Sequence, residues 1–281
     1  MARKQLSYFL GFLLLTSIDT GLMVEAVALS HAHVELIARQ NSITPGSTLQ
    51  LGVHFVLEPG WHIYWINPGD SGQPPVFKWQ LPEGFTAGEI EWPPPERMQS
   101  NSQLADYGYH DEALFIVPIH APQVIHTNSG QLGTPQFAAE IKWLICREVC
   151  IPEHAQLQLA LPFSAKTVEN PSSARLFATT EKLLPRPLPL GWHASATSTK
   201  DEFVLAITAD KPIAKAQFFP LAPGQIDNPT LQKLQPSTTG LKIILKKSDI
   251  LLKPISVLRG VLAIPGGPAY KIDAPVHQSI Q

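Results

Sequence analysis

Proline and glycine interrupt the whole chain and so limit the length of any regular element. The 281 residues include 27 prolines and 18 glycines, too many and too scattered for long helices. Between them lie short apolar or alternating segments, such as LQLGVHFVL, WHIYWI, VFKWQL and AQLQLALP, a pattern typical of β-strands. With 44% hydrophobic residues, the chain is long enough for two modest domains. We therefore predict an all-β protein with two β-sandwich domains.

Residues 164–187 predict the boundary between these domains. The segment NPSSARLFATTEKLL begins with Asn and Ser and is followed by the proline-rich PRPLP, which favours one short helix and then a stiff linker. The predicted organisation is a β-sandwich over 29–163, the helix and linker over 164–187, and a second, smaller β-sandwich over 188–281.

The first 28 residues have the composition of an export signal. Arg3 and Lys4 precede an apolar stretch from Leu6 to Ile18, and Ala26-Val27-Ala28 offers small residues for cleavage. We predict a cleaved signal peptide over 1–28, and the alternative is an uncleaved anchor in the inner membrane. Both alternatives place the chain in an oxidising compartment, where a disulfide persists.

The two cysteines, in the segment WLICREVCIP, lie only four positions apart. In a straight strand, four steps of about 3.3 Å would separate the Cα atoms of Cys146 and Cys150 by about 13 Å, whereas a disulfide needs about 4.4 to 6.8 Å. The chain must therefore turn back between them, and the flanking strand-like segments predict the tip of a hairpin. A ring this short removes little entropy from the unfolded chain. A redox pair and a structural disulfide both remain open.

Three other classes of function are disfavoured by the sequence. The net charge of −2 and the lack of a basic run beyond the first residues argue against nucleic acid as a partner. Zinc would need more ligands than two thiolates and the nearby His154. The segment Gly69-Asp70-Ser71-Gly72 resembles the surroundings of a serine-protease nucleophile, but NPG before it and QPP after it indicate a turn.

Several ordered motifs together resemble a known family. PGWHIYWINPGDSGQPP, LPEGF, WPPPER, YGY and WLICREVCIPE resemble the N-terminal domain of DsbD-type thiol:disulfide interchange proteins over residues 30 to 163, most closely the ScsB-like branch linked to copper tolerance. The second half resembles the β-domain that follows in ScsB-like proteins. The resemblance implies immunoglobulin-like folds, a periplasmic location and a redox couple formed by Cys146 and Cys150.

The resemblance also implies partners. In this family a membrane-embedded thiol protein reduces the cysteine pair, which then passes electrons to periplasmic thioredoxin-fold proteins, in pathways that include cytochrome c biogenesis. No cofactor is expected. Complete members continue into a membrane-spanning domain and a thioredoxin-like domain, and this sequence reaches Gln281 with neither. We therefore expect either a separately encoded donor or a copy that has lost the relay.

In DsbD, a mobile loop with an aromatic residue covers the cysteine pair. The matching stretch here is Glu96 to Tyr109, whose first part contains Met98 but no aromatic residue. Tyr107 and Tyr109 are therefore candidates to shield the sulfurs, and the alternative is that they belong to the core. Two further aromatic residues are predicted to line the site, namely Trp61 and Tyr64.

Two competing functions follow from other features. One is a non-catalytic binding or assembly domain in which the disulfide only fixes a hairpin. The other is a copper-tolerance protein, because cleavage after Ala28 would make His31 the third residue of the mature chain, and an amine, deprotonated amides and an imidazole can together chelate Cu²⁺.

Overall fold

The computed structural model describes residues 31–99, 103–124 and 134–279. The predicted signal peptide, 1–28, lies outside these residues. Among the helices of the described ranges, none is long and apolar enough to span a membrane.

The first sandwich consists of two antiparallel sheets. Its strands, in chain order, are β1 Ala32–Ala38, β2 Thr48–Leu57, β3 His62–Gly69, β4 Val76–Gln80, β5 Thr86–Ala87, β6 Glu96–Gln99, β7 Ala105–His110, β8 Glu112–His120, β9 Gln136–Cys146 and β10 Cys150–Ala160. One sheet has the order β1-β2-β8-β5. The other has the order β10-β9-β3-β7-β6, with β4 also paired to β9. The predicted all-β, sandwich-like fold is confirmed.

Alternating side chains build the core between these two sheets. In β9, Ile141, Trp143 and Ile145 are buried on the inner face, whereas Lys142 between them is exposed. A two-residue period of this kind places one face of a strand against the core. Phe55 of β2 packs edge-on against Trp143, with the ring centroids 5.2 Å apart. This packing leaves the even-numbered side chains of β9 on the outer face, which carries the candidate site.

A short helix follows the first sandwich, within the predicted interval. Helix α1 spans Ala174–Leu183 and begins after Ser173, and Pro185 follows its end. Its fully buried Phe177 packs with Leu114 and Ile116 of β8 in a small apolar cluster. The helix therefore packs against the first sandwich. The domain limits at 163 and 187 stay predictions.

The second sandwich is formed by one continuous seven-stranded sheet. Its strands are β11 His193–Ser198, β12 Glu202–Thr208, β13 Gln217–Pro220, β14 Lys233–Ser237, β15 Gly240–Lys246, β16 Val257–Ala263 and β17 Ala269–Gln278. They follow the order β13-β16-β17-β11-β12-β15-β14. Strand β17 pairs with β16 over its first part and with β11 near its end. Most buried residues of both halves form a single hydrophobic cluster, so the sheet folds over on itself.

The two sandwiches share buried surface. Phe219, Val261 and Ala269 of the second sandwich belong to the hydrophobic cluster of the first. The ring of Phe219 lies edge-on to that of Tyr107, with centroids 5.3 Å apart, and the side-chain amide of Asn67 donates a 2.7 Å hydrogen bond to the carbonyl of Pro220. Apolar contacts oppose the relative motion of two domains, and Phe219 is buried in the core of the first sandwich.

Candidate functional site

The β9–β10 hairpin brings the two cysteines together. The strands pair in register from Gln136 opposite Ala160 to Cys146 opposite Cys150. Cys146 and Cys150 form a disulfide with their Cα atoms 4.2 Å apart, and residues 147–149 make the connection at the tip. The turn that the spacing required is therefore present.

The two cysteines differ in exposure. Cys146 is buried, with 2% of its surface exposed, whereas Cys150 is exposed. Because Ile145 points into the core, Cys146 lies on the outer face of the sheet, and the residues above it bury it. A thiolate from another protein can therefore reach the sulfur of Cys150 more easily than that of Cys146.

Tyr64 is the residue that covers the disulfide. Its hydroxyl donates a hydrogen bond of 3.1 Å to Sγ of Cys146 and lies 3.6 Å from Sγ of Cys150. The side chain is on the outer face of β3, since Ile63 and Trp65 on either side belong to the core. Burial raises the pKa of Tyr64 above its usual value. The phenol is therefore protonated and acts as a donor to sulfur.

The turn over residues 69–72, which follows β3, holds Tyr64 in place. Gly72 has φ +76°, and a Cβ atom there would lie 2.1 Å from the Tyr64 ring, so only glycine fits against the ring. Ser71 lies close enough to the Tyr64 hydroxyl to lower the pKa of Tyr64 and so to oppose part of the effect of burial. The backbone N–H and the hydroxyl of Ser71 each donate a 2.8 Å hydrogen bond to the buried carboxylate of Asp106. The segment Gly69-Asp70-Ser71-Gly72, which resembles a protease motif in sequence, thus packs against Tyr64 and fixes its position.

Two histidines lie beside Tyr64 on the same face. His62 pairs with Cys146 between β3 and β9, and its ring centroid is 5.3 Å from that of Tyr64 and 5.5 Å from that of His110. Burial lowers the pKa of His62, the neighbouring His110 lowers it further, and Asp106 opposes both effects. Around neutral pH His62 is therefore a neutral imidazole near the cysteines.

Trp61 packs against Arg147 at the tip of the hairpin. The guanidinium of Arg147 lies 5.0 Å from the centroid of the Trp61 ring, a cation–π distance. On Trp61 the ring of His31 stacks at 3.8 Å, and Nδ1 of His31 lies 2.6 Å from a carboxylate oxygen of Glu58. Trp61 thus lies next to the site and contacts the connection between the cysteines through Arg147.

The remaining predicted residues lie in different places. Met98 pairs with Asp106 between β6 and β7, and its methyl group lies near Gly108, which is opposite Tyr64. Met98 is therefore on the outer face, on β6, with β7 between it and the strand of Tyr64. Tyr107 and Tyr109, in contrast, belong to the hydrophobic core. The suggestion that they shield the sulfurs is replaced by the alternative, because alternation along β7 turns them inward.

No group of three or more His, Cys, Asp or Glu residues able to hold a metal ion is found in ranges 31–99, 103–124 and 134–279. The chelation of Cu²⁺ by a free amine and His31 depends on a cleavage site outside these ranges, and it stays a prediction.

Sequence reasoning missed four residues of the site, namely His62, Ser71, Gly72 and Asp106. The two-residue spacing of His62 and Tyr64 could have placed both on one face of β3. The other three come from a turn and from β7, and only the fold brings them to Tyr64.

Comparison with known proteins identifies the first sandwich. The family described as "Thiol:disulfide interchange protein DsbD, N-terminal" matches residues 34–162, which include both cysteines and the hairpin. Residues 34–162 belong to this family. The DsbD N-terminal domain of this chain therefore carries the cysteine pair at its hairpin tip. No curated protein sequence matches the chain.

One solved structure extends the likeness in fold to most of the chain. The N-terminal periplasmic domain of ScsB from Proteus mirabilis matches with a TM-score of 0.66 at 16% identity, covering 89% of this chain and 95% of that one. It shows that both sandwiches follow a known arrangement. The reduced N-terminal domain of DsbD from Neisseria meningitidis is 17% identical over 48% of this chain and 88% of that one, with a TM-score of 0.29.

Proposed function

We propose that this chain is a thiol-disulfide exchange module in which partners attack Cys150 and Cys146 is the leaving sulfur. The observation that carries the proposal is the asymmetry of the pair. Cys150 is exposed at the tip of the hairpin, whereas Cys146 is buried beneath the hydroxyl of Tyr64. Exchange needs one accessible sulfur and one leaving thiolate that the protein stabilises.

Reduction proceeds in two displacements. The thiolate of a reduced donor attacks Sγ of Cys150, a new S–S bond forms to the donor, and the Cys146–Cys150 bond breaks to release Cys146 as a thiolate. The hydroxyl of Tyr64 donates to this thiolate, and a leaving thiol of lower pKa departs faster. A second donor thiolate then attacks the donor sulfur of the mixed disulfide and releases Cys150. The donor ends as a disulfide, and two electrons have moved to the cysteine pair.

Electrons leave by the reverse order of steps. The Cys150 thiolate attacks the disulfide of an oxidised acceptor, and one acceptor sulfur leaves as a thiolate. The Cys146 thiolate then attacks Sγ of Cys150, which releases the second acceptor thiolate and restores the disulfide. Water supplies the protons that the acceptor thiolates take up. Tyr64 keeps its proton throughout, because burial holds its pKa above the usual value.

The partners and the compartment are part of the proposal. Family membership of residues 34–162 supports a thiol-exchange partner. We assign a membrane-embedded thiol protein as the donor, thioredoxin-fold proteins as the acceptors, and the periplasm as the location, because the motifs resemble those of DsbD and ScsB proteins. Export by a cleaved signal peptide fits this location.

A purely structural disulfide is less well supported by the geometry. The hairpin pairs without a break from Cys146–Cys150 to Gln136–Ala160, so its backbone hydrogen bonds also hold the register. The chain-entropy relation gives only about 2 kcal/mol for a ring this short. A disulfide that added stability alone would be more effective across a longer loop.

Two single-cysteine variants test the proposal. In Cys146→Ala the exposed Cys150 should trap donor and acceptor proteins as mixed disulfides in cells, detected on non-reducing gels. In Cys150→Ala the buried Cys146 should trap few, and this matched variant controls for nonspecific oxidation. A reduction potential below about −300 mV, together with no trapping by either variant, would identify a structural disulfide and contradict the proposal.

A further inference from the structure

Asn228 of the second sandwich reaches the turn that holds Tyr64. Asn228 is buried, with 5% of its surface exposed, and it lies between β13 and β14. Its side-chain N–H donates a 2.8 Å hydrogen bond to Oδ1 of Asp70, and its side-chain oxygen accepts one of 2.8 Å from the hydroxyl of Tyr107. Each end of the amide is therefore bonded to a different part of the first sandwich.

The backbone around Asn228 is fixed as well. The guanidinium of Arg97 donates hydrogen bonds of 3.1 and 3.0 Å to the carbonyl of Asn228 and one of 2.7 Å to the carbonyl of Pro229. Hydrogen bonds from a charged donor are stronger than those between neutral groups. The loop of the second sandwich is thus held at a defined position against β6 and β7.

Asp70, which is bonded to Asn228, is itself part of the 69–72 turn. Its Oδ2 accepts a 2.9 Å hydrogen bond from the backbone N–H of Ala105, and its own N–H donates one of 3.2 Å to the carbonyl of Ala105. The next residue, Ser71, donates to Asp106, and Gly72 after it lies directly against the ring of Tyr64. A continuous series of contacts therefore runs from Asn228 to the hydroxyl that bonds Cys146.

We infer that Asn228 is a positioning residue through which the second sandwich sets the redox properties of the disulfide in the first. The inference rests on the proposed function. By orienting Asp70, Asn228 holds the 69–72 turn against the ring of Tyr64 and keeps its hydroxyl within hydrogen-bond distance of Cys146. That hydrogen bond stabilises the Cys146 thiolate more than the disulfide sulfur, since charged acceptors bind donors more strongly. The second sandwich thus favours the reduced pair.

The test uses Asn228→Asp in the whole mature chain. The variant keeps the oxygen that accepts from Tyr107, but it presents a carboxylate oxygen to Asp70, and the like charges push the turn away. We expect the equilibrium constant for reduction by glutathione to fall about threefold, part of the roughly tenfold effect of one hydrogen bond to a charged group. The double variant Asp70→Asn/Asn228→Asp restores an amide–carboxylate pair and should return to the wild-type value.

Gln232→Ala is the matched control. Gln232 is also an amide, and it bonds only to the backbone of Phe218 within the second sandwich, at 2.9 and 2.7 Å. Its loss should leave the equilibrium constant unchanged. The inference would be overturned if folded Asn228→Asp gave the wild-type value, or if the double variant stayed as low as the single one.

Hydrogen exchange separates this inference from the proposed function. If glutathione fails to reduce the wild-type pair at any ratio, the exchange function is wrong. The positioning role of Asn228 is then tested by the hydrogen-exchange rates of the backbone amides of Asp70 and Ser71, which are both hydrogen-bonded in the turn. Faster exchange in Asn228→Asp than in Gln232→Ala supports it, and equal exchange overturns it.

Discussion

Replacing Tyr64 by Phe tests the link between geometry and redox chemistry most directly. The change removes one oxygen and leaves the ring that packs on Gly72. The lost oxygen donates to Sγ of Cys146 at 3.1 Å, and both residues are almost fully buried. Solvent therefore does not readily replace the missing donor.

The expected change in reduction potential follows from comparing Sγ of Cys146 in the disulfide with the same atom as a thiolate. A disulfide sulfur is a weak acceptor, whereas a hydrogen bond to a charged group contributes about 1.5 to 3 kcal/mol. Taking a difference close to the lower value, we expect the Cys146 thiolate to lose about 1.4 kcal/mol of stabilisation. This equals about one pKa unit, a tenfold change in equilibrium constant, or about 30 mV for a two-electron couple. We expect the reduction potential of Tyr64→Phe to be lower by about that amount.

The assay is equilibration in glutathione redox buffers at about pH 9, where ordinary thiols ionise and Tyr64 still keeps its proton because burial raises its pKa. Alkylation and mass spectrometry give the reduced fraction. Tyr109→Phe is the matched control, since it removes a buried phenol that donates to the Pro93 carbonyl at 2.8 Å on the core side. A Tyr64→Phe potential within about 5 mV of wild type, well under a twofold change in equilibrium constant, would refute the reasoning.

Three further predictions concern stability. Gly72→Ala should lower the free energy of unfolding by about 2 to 4 kcal/mol, because the strain of a positive φ and the overpacking against Tyr64 both destabilise the folded state. The control is Gly266→Ala, where φ is +68° but nothing lies within 4 Å of the added Cβ. In urea titrations this control should lose only about 1 kcal/mol. Since the pKa of His62 is lowered in the folded state, the unfolded chain binds more protons as the pH falls below about 6.5, and stability drops. His62→Gln should therefore reduce the loss of stability between about pH 7 and 5, and an unchanged slope would contradict the assigned burial effect. Phe177→Ala should lower the free energy of unfolding by about 3 to 5 kcal/mol, because its ring is fully buried. The control Leu183→Ala should lower it far less, because Leu183 is half-exposed at the end of α1. Similar losses of stability in thermal melts of the two variants would show that the helix does not dock through Phe177.

The hairpin and the helix could be predicted because their signals are local. The four-residue spacing of Cys146 and Cys150 allows no straight strand between them, and the flanking alternation fixes the strands on both sides. Likewise, Asn170 and Ser173 before the apolar residues, and Pro185 after them, limit α1 from both ends. In each case the information lies within about ten residues of the feature.

The surroundings of the disulfide could not be predicted in this way. Tyr64 lies 82 positions from Cys146, and Asn228 lies 158 positions from Asp70, so only the pairing of distant strands brings them together. The face of the sheet that Tyr107 occupies could not be predicted either. An aromatic residue in a strand suits either face, and the register of β7 against β3 decides which one it occupies.

The buried surface shared by the two sandwiches also affects the order of folding. Phe219, Val261 and Ala269 complete a hydrophobic cluster whose other members all precede residue 162. A chain that emerges N-terminus first must therefore keep part of that apolar surface uncovered until more than 100 later residues have appeared. Contacts so distant in sequence form slowly, and exposed apolar surface invites aggregation in the meantime. The contact between the sandwiches, which also connects Asn228 to the cysteines, thus leaves apolar surface exposed on the incomplete chain.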